Sequence, residues 1–185
     1  MRTIARSVLA LTLTCLACSG IRVTTDYDPS ADFTRLRSYA WLDEQSGVEG
    51  DRSDVTSLLD RRVRRAVDAE MQRKGLSAVD RGQADVLVAY HLGVETKLDV
   101  NTINSGYGGG PYGYRGGVYS HTTVTEYQEG TLLIDVVEPK AKQLIWRGSG
   151  QARIWKSTTP AEREKRIDQA VGEILKSFPP RPEKS

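Results

Sequence analysis

The sequence predicts an α+β fold: a two-layer domain in which two helices pack on one face of a mostly antiparallel sheet of five or six strands. Three observations predict it. Two windows, around residues 55–74 and 160–178, repeat apolar residues at three- and four-residue spacing. Around them lie strand-like runs joined mostly by short turns, the pattern of hairpin-linked strands. Finally, each helix has one apolar stripe, and both stripes need an apolar surface to cover, which one face of the sheet supplies.

The elements follow in order. Ile21 to Tyr27 alternates as a strand does, and Asp28-Pro29-Ser30 turns the chain. Phe33 to Leu42 leads into a second extended piece with Tyr39 and Trp41 on one face. Asp43 to Arg52 is polar, holds two glycines and reads as a loop. Ser53 is a helix cap, and Val55, Leu59, Val63, Ala66, Val67 and Met71 form the stripe that follows. Lys74-Gly75 closes this helix, with Gly75 supplying a left-handed residue. Ala84 to Val94 is a strongly apolar strand, expected near the centre of the sheet.

After Asn104 comes a low-complexity stretch, Gly106 to Gly117, inside an expected mobile loop over 105–117. Val118 to Tyr127 is β-branched and aromatic. Gly130 then precedes a further strand from Thr131 to Val137. Glu138 to Lys142 turns the chain, and Gln143 to Trp155 returns, completing a meander. Thr159-Pro160-Ala161-Glu162 combines a capping box with proline at the first helical position. Ile167, Val171, Ile174, Leu175 and Phe178 form the second stripe. Pro179, Pro180 and Pro182 end it, leaving an expected disordered tail over 179–185.

The N-terminus predicts export. Arg2 and Arg6 precede an uncharged, mostly apolar run from Ser7 to Ala17. About eleven residues at ~1.5 Å each reach only about half of a ~30 Å hydrocarbon layer, so the run suits a signal peptide over 1–17 better than a transmembrane helix. Leu16-Ala17-Cys18-Ser19-Gly20 resembles a bacterial lipobox, with Cys15 where leucine is usual. Cys18 is therefore the candidate lipidation site and the first residue of a single domain over 18–185. Ser19 is not the aspartate that holds lipoproteins at the inner membrane. The expected location is the outer membrane, lipid-anchored and facing the periplasm, where several acyl chains at ~0.8 kcal/mol per buried methylene hold a protein stably. The alternative is ordinary cleavage and a soluble periplasmic protein.

Processing changes two other quantities. Cys15 and Cys18 are the only cysteines, so the folded domain has neither a disulfide framework nor a thiolate metal site. The chain has 26 basic and 24 acidic residues, and losing Arg2 and Arg6 leaves 24 of each. Net charge then gives no reason to expect a polyanionic partner.

Several motifs together resemble the domain of unknown function 4136 family. They are Asp26-Tyr27-Asp28-Pro29, Asp32-Phe33, Tyr39-Ala40-Trp41, Lys74-Gly75-Leu76 and Ala84-Asp85-Val86-Leu87-Val88-Ala89-Tyr90-His91. Gly130-Thr131-Leu132-Leu133-Ile134-Asp135 and Leu144-Ile145-Trp146-Arg147-Gly148 complete the pattern. The resemblance runs from about Arg22 to Phe178. It implies a bacterial lipoprotein of no established activity.

Common chemistries find little footing. Gly108, Gly110 and Gly113 match G-x-G-x-x-G, but Pro111 lies inside the match and no helix opens after it to hold a phosphate. His91 and His121 are the only histidines, and a metal site would need the fold to bring carboxylates such as Asp26, Asp28 or Asp32 to them. Those aspartates read as turn and cap residues. Gly148-Ser149-Gly150 falls in a strand, not in the strand-to-helix elbow of a serine hydrolase. Arg61, Arg62, Arg64 and Arg65 are interleaved with Asp60, Asp68 and Glu70 and read as a solvated helix face, not a nucleic-acid patch. Tyr107, Tyr112, Tyr114 and Tyr119 remain as a candidate binding strip, since amphipathic rings suit membrane interfaces, glycans or protein contacts.

The expectation is a non-catalytic accessory of the envelope, without cofactor or metal, held to the membrane by lipid and bound to an envelope protein, not to nucleic acid. The alternatives are a binding module for lipid, glycan or peptidoglycan using a groove between helices and sheet, and, behind it, a hydrolase using His91 or His121.

Overall fold

A computed structural model describes residues 20–42, 47–48, 54–105, 119–154 and 159–180. The signal and Cys18, the Ser53 cap, the glycine- and tyrosine-rich stretch and the tail after Pro180 lie outside the described residues.

The strands are β1 (Arg22–Tyr27), β2 (Ser38–Trp41), β3 (Gly47–Val48), β4 (Ser77–Ala78), β5 (Val86–Ser105), β6 (Tyr119–Glu138) and β7 (Gln143–Ile154). The helices are α1 (Asp54–Arg73) and α2 (Pro160–Leu175). The sheet order is β1-β7-β6-β5-β2-β4, with β3 also paired to β5. The β1–β7, β7–β6 and β6–β5 pairs are antiparallel, whereas β2 and β3 run parallel to β5, and β4 parallel to β2. The predicted fold class holds. The sequence reading missed the two-residue strands β3 and β4, which are too short to show a period.

Both helix ends form as their residues dictate. Gly75 has φ +84, a conformation that costs glycine little. It donates to the Gln72 carbonyl at 2.9 Å, while the Leu76 amide reaches back to Met71 at 3.0 Å. Two of the last carbonyls of α1 are thus satisfied, and Leu76 is turned into the core. At α2, Thr159 accepts from the Glu162 amide at 3.2 Å and the Glu162 carboxylate accepts from the Thr159 amide at 2.7 Å.

The core lies between the helices and one face of the sheet. Val63, Ala66, Val67 and Met71 of α1 and Val171, Ile174 and Leu175 of α2 meet Tyr39, Val86, Val88, Tyr90, Leu132, Ile134, Val136 and Trp146. Phe178 closes one end, with its ring 5.2 Å from Trp146 and 6.3 Å from Phe33. On the opposite face a smaller cluster of Ala40, Leu42, Leu87 and Ala89 is also buried. Val86 to Tyr90 is therefore enclosed on both sides, which explains why that stretch reads as continuously apolar.

Two strands are longer than the apolar runs suggest. β5 continues past Val94 to Ser105, and β6 runs unbroken through Gly130. Gly130 does not divide two strands, because it pairs with Val94 in regular register while the Ile154 side chain fills the space a Cβ would take, 3.0 Å away. From Lys97 outward on β5 and Tyr127 back to Tyr119 on β6, the hairpin continues, among the described residues, as a two-stranded ribbon.

Gly148 and Gly150 let α2 approach the sheet. A Cβ on Gly148 would lie 2.4 Å from Trp146 and 2.5 Å from Ile174, and one on Gly150 would lie 2.8 Å from Ile174. Gly148→Ala is expected to lower stability by about 1–3 kcal/mol through overpacking. Gly82→Ala, where nothing lies within 4 Å, should move the midpoint little. Urea unfolding of the two variants side by side measures the difference.

Candidate functional site

Asp85 shows how the fold is fastened at the start of β5. Its carboxylate accepts from the Arg37 amide, the Ser38 amide and the Ser38 hydroxyl, each at 2.9 Å. These bonds, the Arg37 amide first and then the Ser38 hydroxyl, hold its carboxyl below the usual range.

Along α1 two aspartates receive the polar ends of otherwise buried rings. Asp68 accepts from the Tyr39 hydroxyl at 2.7 Å and the Trp41 indole at 3.0 Å. Asp60 accepts from the Tyr90 hydroxyl at 2.6 Å and from Arg64 at 3.0 Å. Burial first, then the carboxylate, pushes both tyrosine hydroxyls up, so they stay protonated donors. Arg64 also lies over Trp41, 4.6 Å from its centroid. Arg65 reaches across to Glu164 and Asp168 of α2.

The surface groove on this side has a volume of about 470 Å³ and is lined by Arg61, Arg64, Arg65, Asp68, Ala69 and Gln72. Three of those charged groups already serve packing. The arginine run is thus more than a solvated face, since Arg65 also joins the helices. Between helices and sheet the space is filled by Trp146, Tyr39, Tyr90, Phe178 and Met71, which weighs against a ligand groove there.

On the sheet face away from the helices, Ala89, Asp135, Arg147 and Asp26 stand in one cross-strand row. Asp135 is buried and held by Arg147 through two bonds of 2.6 Å. That bond raises the Arg147 guanidinium further above its ordinary value. The His91 Nε2 atom is 3.8 Å from Asp135, beyond hydrogen-bond reach. Ser149 lies two strands from His91, with Leu133 between them in register, about 10 Å across the sheet. His121 pairs with Ile103, far out on the ribbon. The two histidines are therefore not brought together. Among the described residues no group of three or more His, Cys, Asp or Glu could hold a metal ion. Asp28 and Asp32 do what turn residues do, accepting from Ser30 and Thr34 respectively.

The ribbon is the feature that packing does not use up. Because paired residues share a face, Val94, Leu98, Val124 and Ile154 lie on the helix side of the hairpin. They are exposed at 52%, 65%, 57% and 37%. The other side is polar: Lys97 is ion-paired with Glu129, and Arg153 stacks on Tyr127 at 4.3 Å. The signal for this ribbon was present in Glu95 to Thr102, where Thr96, Leu98, Val100 and Thr102 alternate with Glu95, Lys97, Asp99 and Asn101. Of the tyrosine strip, Tyr107, Tyr112 and Tyr114 lie outside the described residues, while Tyr119 begins β6 opposite Ser105. Among the described residues, no helix is long and apolar enough to cross a membrane.

An α+β domain with a projecting β-ribbon is the class these observations define. The chain belongs to the family described as Domain of unknown function (DUF4136), whose model matches residues 23–180. No significant match is found among curated proteins. Among solved structures, a PDZ domain protein from Parabacteroides distasonis ATCC 8503 is similar at TM-score 0.53 and 12% identity, over 88% of this chain and 36% of that one. This chain therefore spans about a third of that protein, and the likeness is one of fold. A PelC dodecamer from Paraburkholderia phytofirmans is similar at TM-score 0.45 and 7% identity, over 84% of this chain and 94% of that one. A putative neuraminyllactose-binding hemagglutinin homolog from Helicobacter pylori is similar at TM-score 0.41 and 16% identity, over 76% and 82% of the two chains.

Two outcomes follow from these contacts. Asp85 has a depressed folded-state pKa, so its stabilisation is fully present above the unfolded value of ~3.9 and is lost as pH falls through the folded value. Asp85→Asn is expected to melt lower than the wild type at neutral pH and to lose less on acidification, as read by thermal circular dichroism. Asp68→Ala leaves the buried Tyr39 hydroxyl and the Trp41 indole without their acceptor, and is expected to cost about 2–4 kcal/mol in denaturant unfolding.

Proposed function

We propose that this protein is a lipid-anchored envelope protein, held at the outer membrane and facing the periplasm, that acts by binding and not by catalysis. The observation that carries the binding half is the ribbon, which projects beyond the helix layer and leaves Val94, Leu98 and Val124 exposed on one face. Three large apolar side chains exposed on one face of one hairpin favour a contact surface. The anchor half is supported by the signal-like segment and the lipobox-like sequence ending at Cys18. A non-catalytic role is supported by the separation of His91, Ser149 and His121, and by the commitment of Asp135 to Arg147. The partner on this reading is another envelope component that meets the ribbon.

Cys18→Ala is expected to move the protein from the membrane fraction to the soluble periplasmic fraction. Mass spectrometry of the wild-type chain should find an acylated peptide beginning at Cys18. A wild-type protein that fractionates as soluble and carries an unmodified N-terminus rules the anchor out. Crosslinking in intact cells tests the binding half, and purely monomeric behaviour without any crosslinked neighbour rules it out.

A further inference from the structure

The outer edge of β5 is the most specific part of the ribbon. In a strand, alternate residues turn their N–H and C=O groups to opposite edges. The Leu42 amide donates to the Val88 carbonyl at 2.8 Å from that outer side, so the even-numbered residues of β5 face it. Beyond Leu92 these are Val94, Thr96, Leu98, Val100 and Thr102. β3 covers the edge at His91 and Leu92, and among the described residues no strand pairs with it farther out. Proline and bulges, two usual protections of an open edge, are both absent from Gly93 to Ser105.

We propose that a second copy of this chain pairs here, β5 against β5, antiparallel, with Leu98 on the twofold axis. The inference rests on the reading of the ribbon as a contact element and names what it contacts. Backbone direction restricts the choice, since even-numbered residues must oppose even-numbered residues. Charge restricts it further. A twofold axis at Lys97 sets that ammonium against its own copy, and one at Asp99 does the same for the carboxylate, both unfavourable. An axis at Leu98 sets Lys97 opposite Asp99 of the second copy, twice by symmetry. An axis at Thr96 also gives an opposite-charge pair, Lys97 with Glu95. In that register, however, β3 stops the pairing at Gly93, and only Gly93 to Asp99 can take part. With the axis at Leu98, pairing runs from Gly93 to Ile103.

The same register satisfies the side chains. Leu98 meets Leu98 of the second copy on the helix side of the hairpin. The open backbone edge of β5 is thereby paired, and the order β6-β5-β5-β6 forms one four-stranded sheet. The interface is isologous, so it closes at two copies and does not propagate.

The test uses the full-length protein in its own envelope fraction. Leu98→Cys places thiols at a hydrogen-bonded antiparallel pair, where Cα atoms lie ~5.5 Å apart and within disulfide range. Mild oxidation is expected to give a band of twice the chain mass that disappears on reduction. Thr96→Cys, whose copies stand ~13 Å apart along the strands, should give no such band. Adding Lys97→Glu to Leu98→Cys sets two acidic groups opposite each other and should weaken association about tenfold, and adding Asp99→Lys as well should restore it. Far-UV circular dichroism of each variant confirms folding at this exposed site. Links from the Leu98→Cys variant to other envelope proteins alone overturn the second copy while leaving the ribbon a contact element. Failure to link to anything overturns both, and equal self-linking by Thr96→Cys overturns the register.

Discussion

A helix rises about 1.5 Å per residue and a strand about 3.3 Å, and this mismatch governs the shape of the protein. α1 and β5 have 20 residues each, which makes them roughly 30 Å and 66 Å long. Helices of that length can cover only about half of the β5–β6 hairpin. The part they cover, Val86 to Leu92 with Leu132 to Val136, is the core. The rest is polar on one side, and on the other Val94, Leu98 and Val124 stand exposed among Thr96, Glu126 and Gln128.

Within the covered half, close approach is secured in two different ways. α2 comes near because Gly148 and Gly150 present no side chain beneath Ile174. α1 is held at its polar margin, where Asp60 and Asp68 take the hydroxyls of Tyr90 and Tyr39. Rings too large for a thin two-layer core are accommodated because their polar ends reach a carboxylate at the seam. Arg65 then ties α1 to α2 across the top of the layer. On the far face no helix among the described residues covers the sheet, and Asp135, held by Arg147, stands directly across from Ala89.

The helices were legible in the sequence because their signals are local. Thr159-Pro160-Ala161-Glu162 specifies its own cap, and Lys74-Gly75-Leu76 its own terminus. The apolar strand through Val86 to Tyr90 was legible because burial on both faces removes every polar residue from it. Its extension was harder to see, although Glu95 to Thr102 alternates regularly, because charge at every second position lowers the apolar density that marks a core strand. Parallel pairing of β2 and β3 with β5 depends on what the chain between them does, and no local residue encodes it. The roles of Asp68 and Gly148 were also hidden. Each depends on partners far away in sequence, and each residue taken alone reads as an ordinary surface or strand position. The tyrosine strip and Cys18 are read from composition and motif alone.

The register of β1 has a consequence for the order of assembly. Arg22 pairs with Gln151 and Tyr27 with Trp146, so the first strand of the chain waits for the last. More than a hundred residues must be joined into a loop before this edge can close, and loop closure of that length is entropically unfavourable without prior structure. The β5–β6 hairpin and α1 can form from nearer neighbours. Whenever the chain emerges from its N-terminus, by synthesis or by passage through a membrane pore, β1 remains a lone strand until β7 arrives. The sheet is then completed at the side where the polypeptide began.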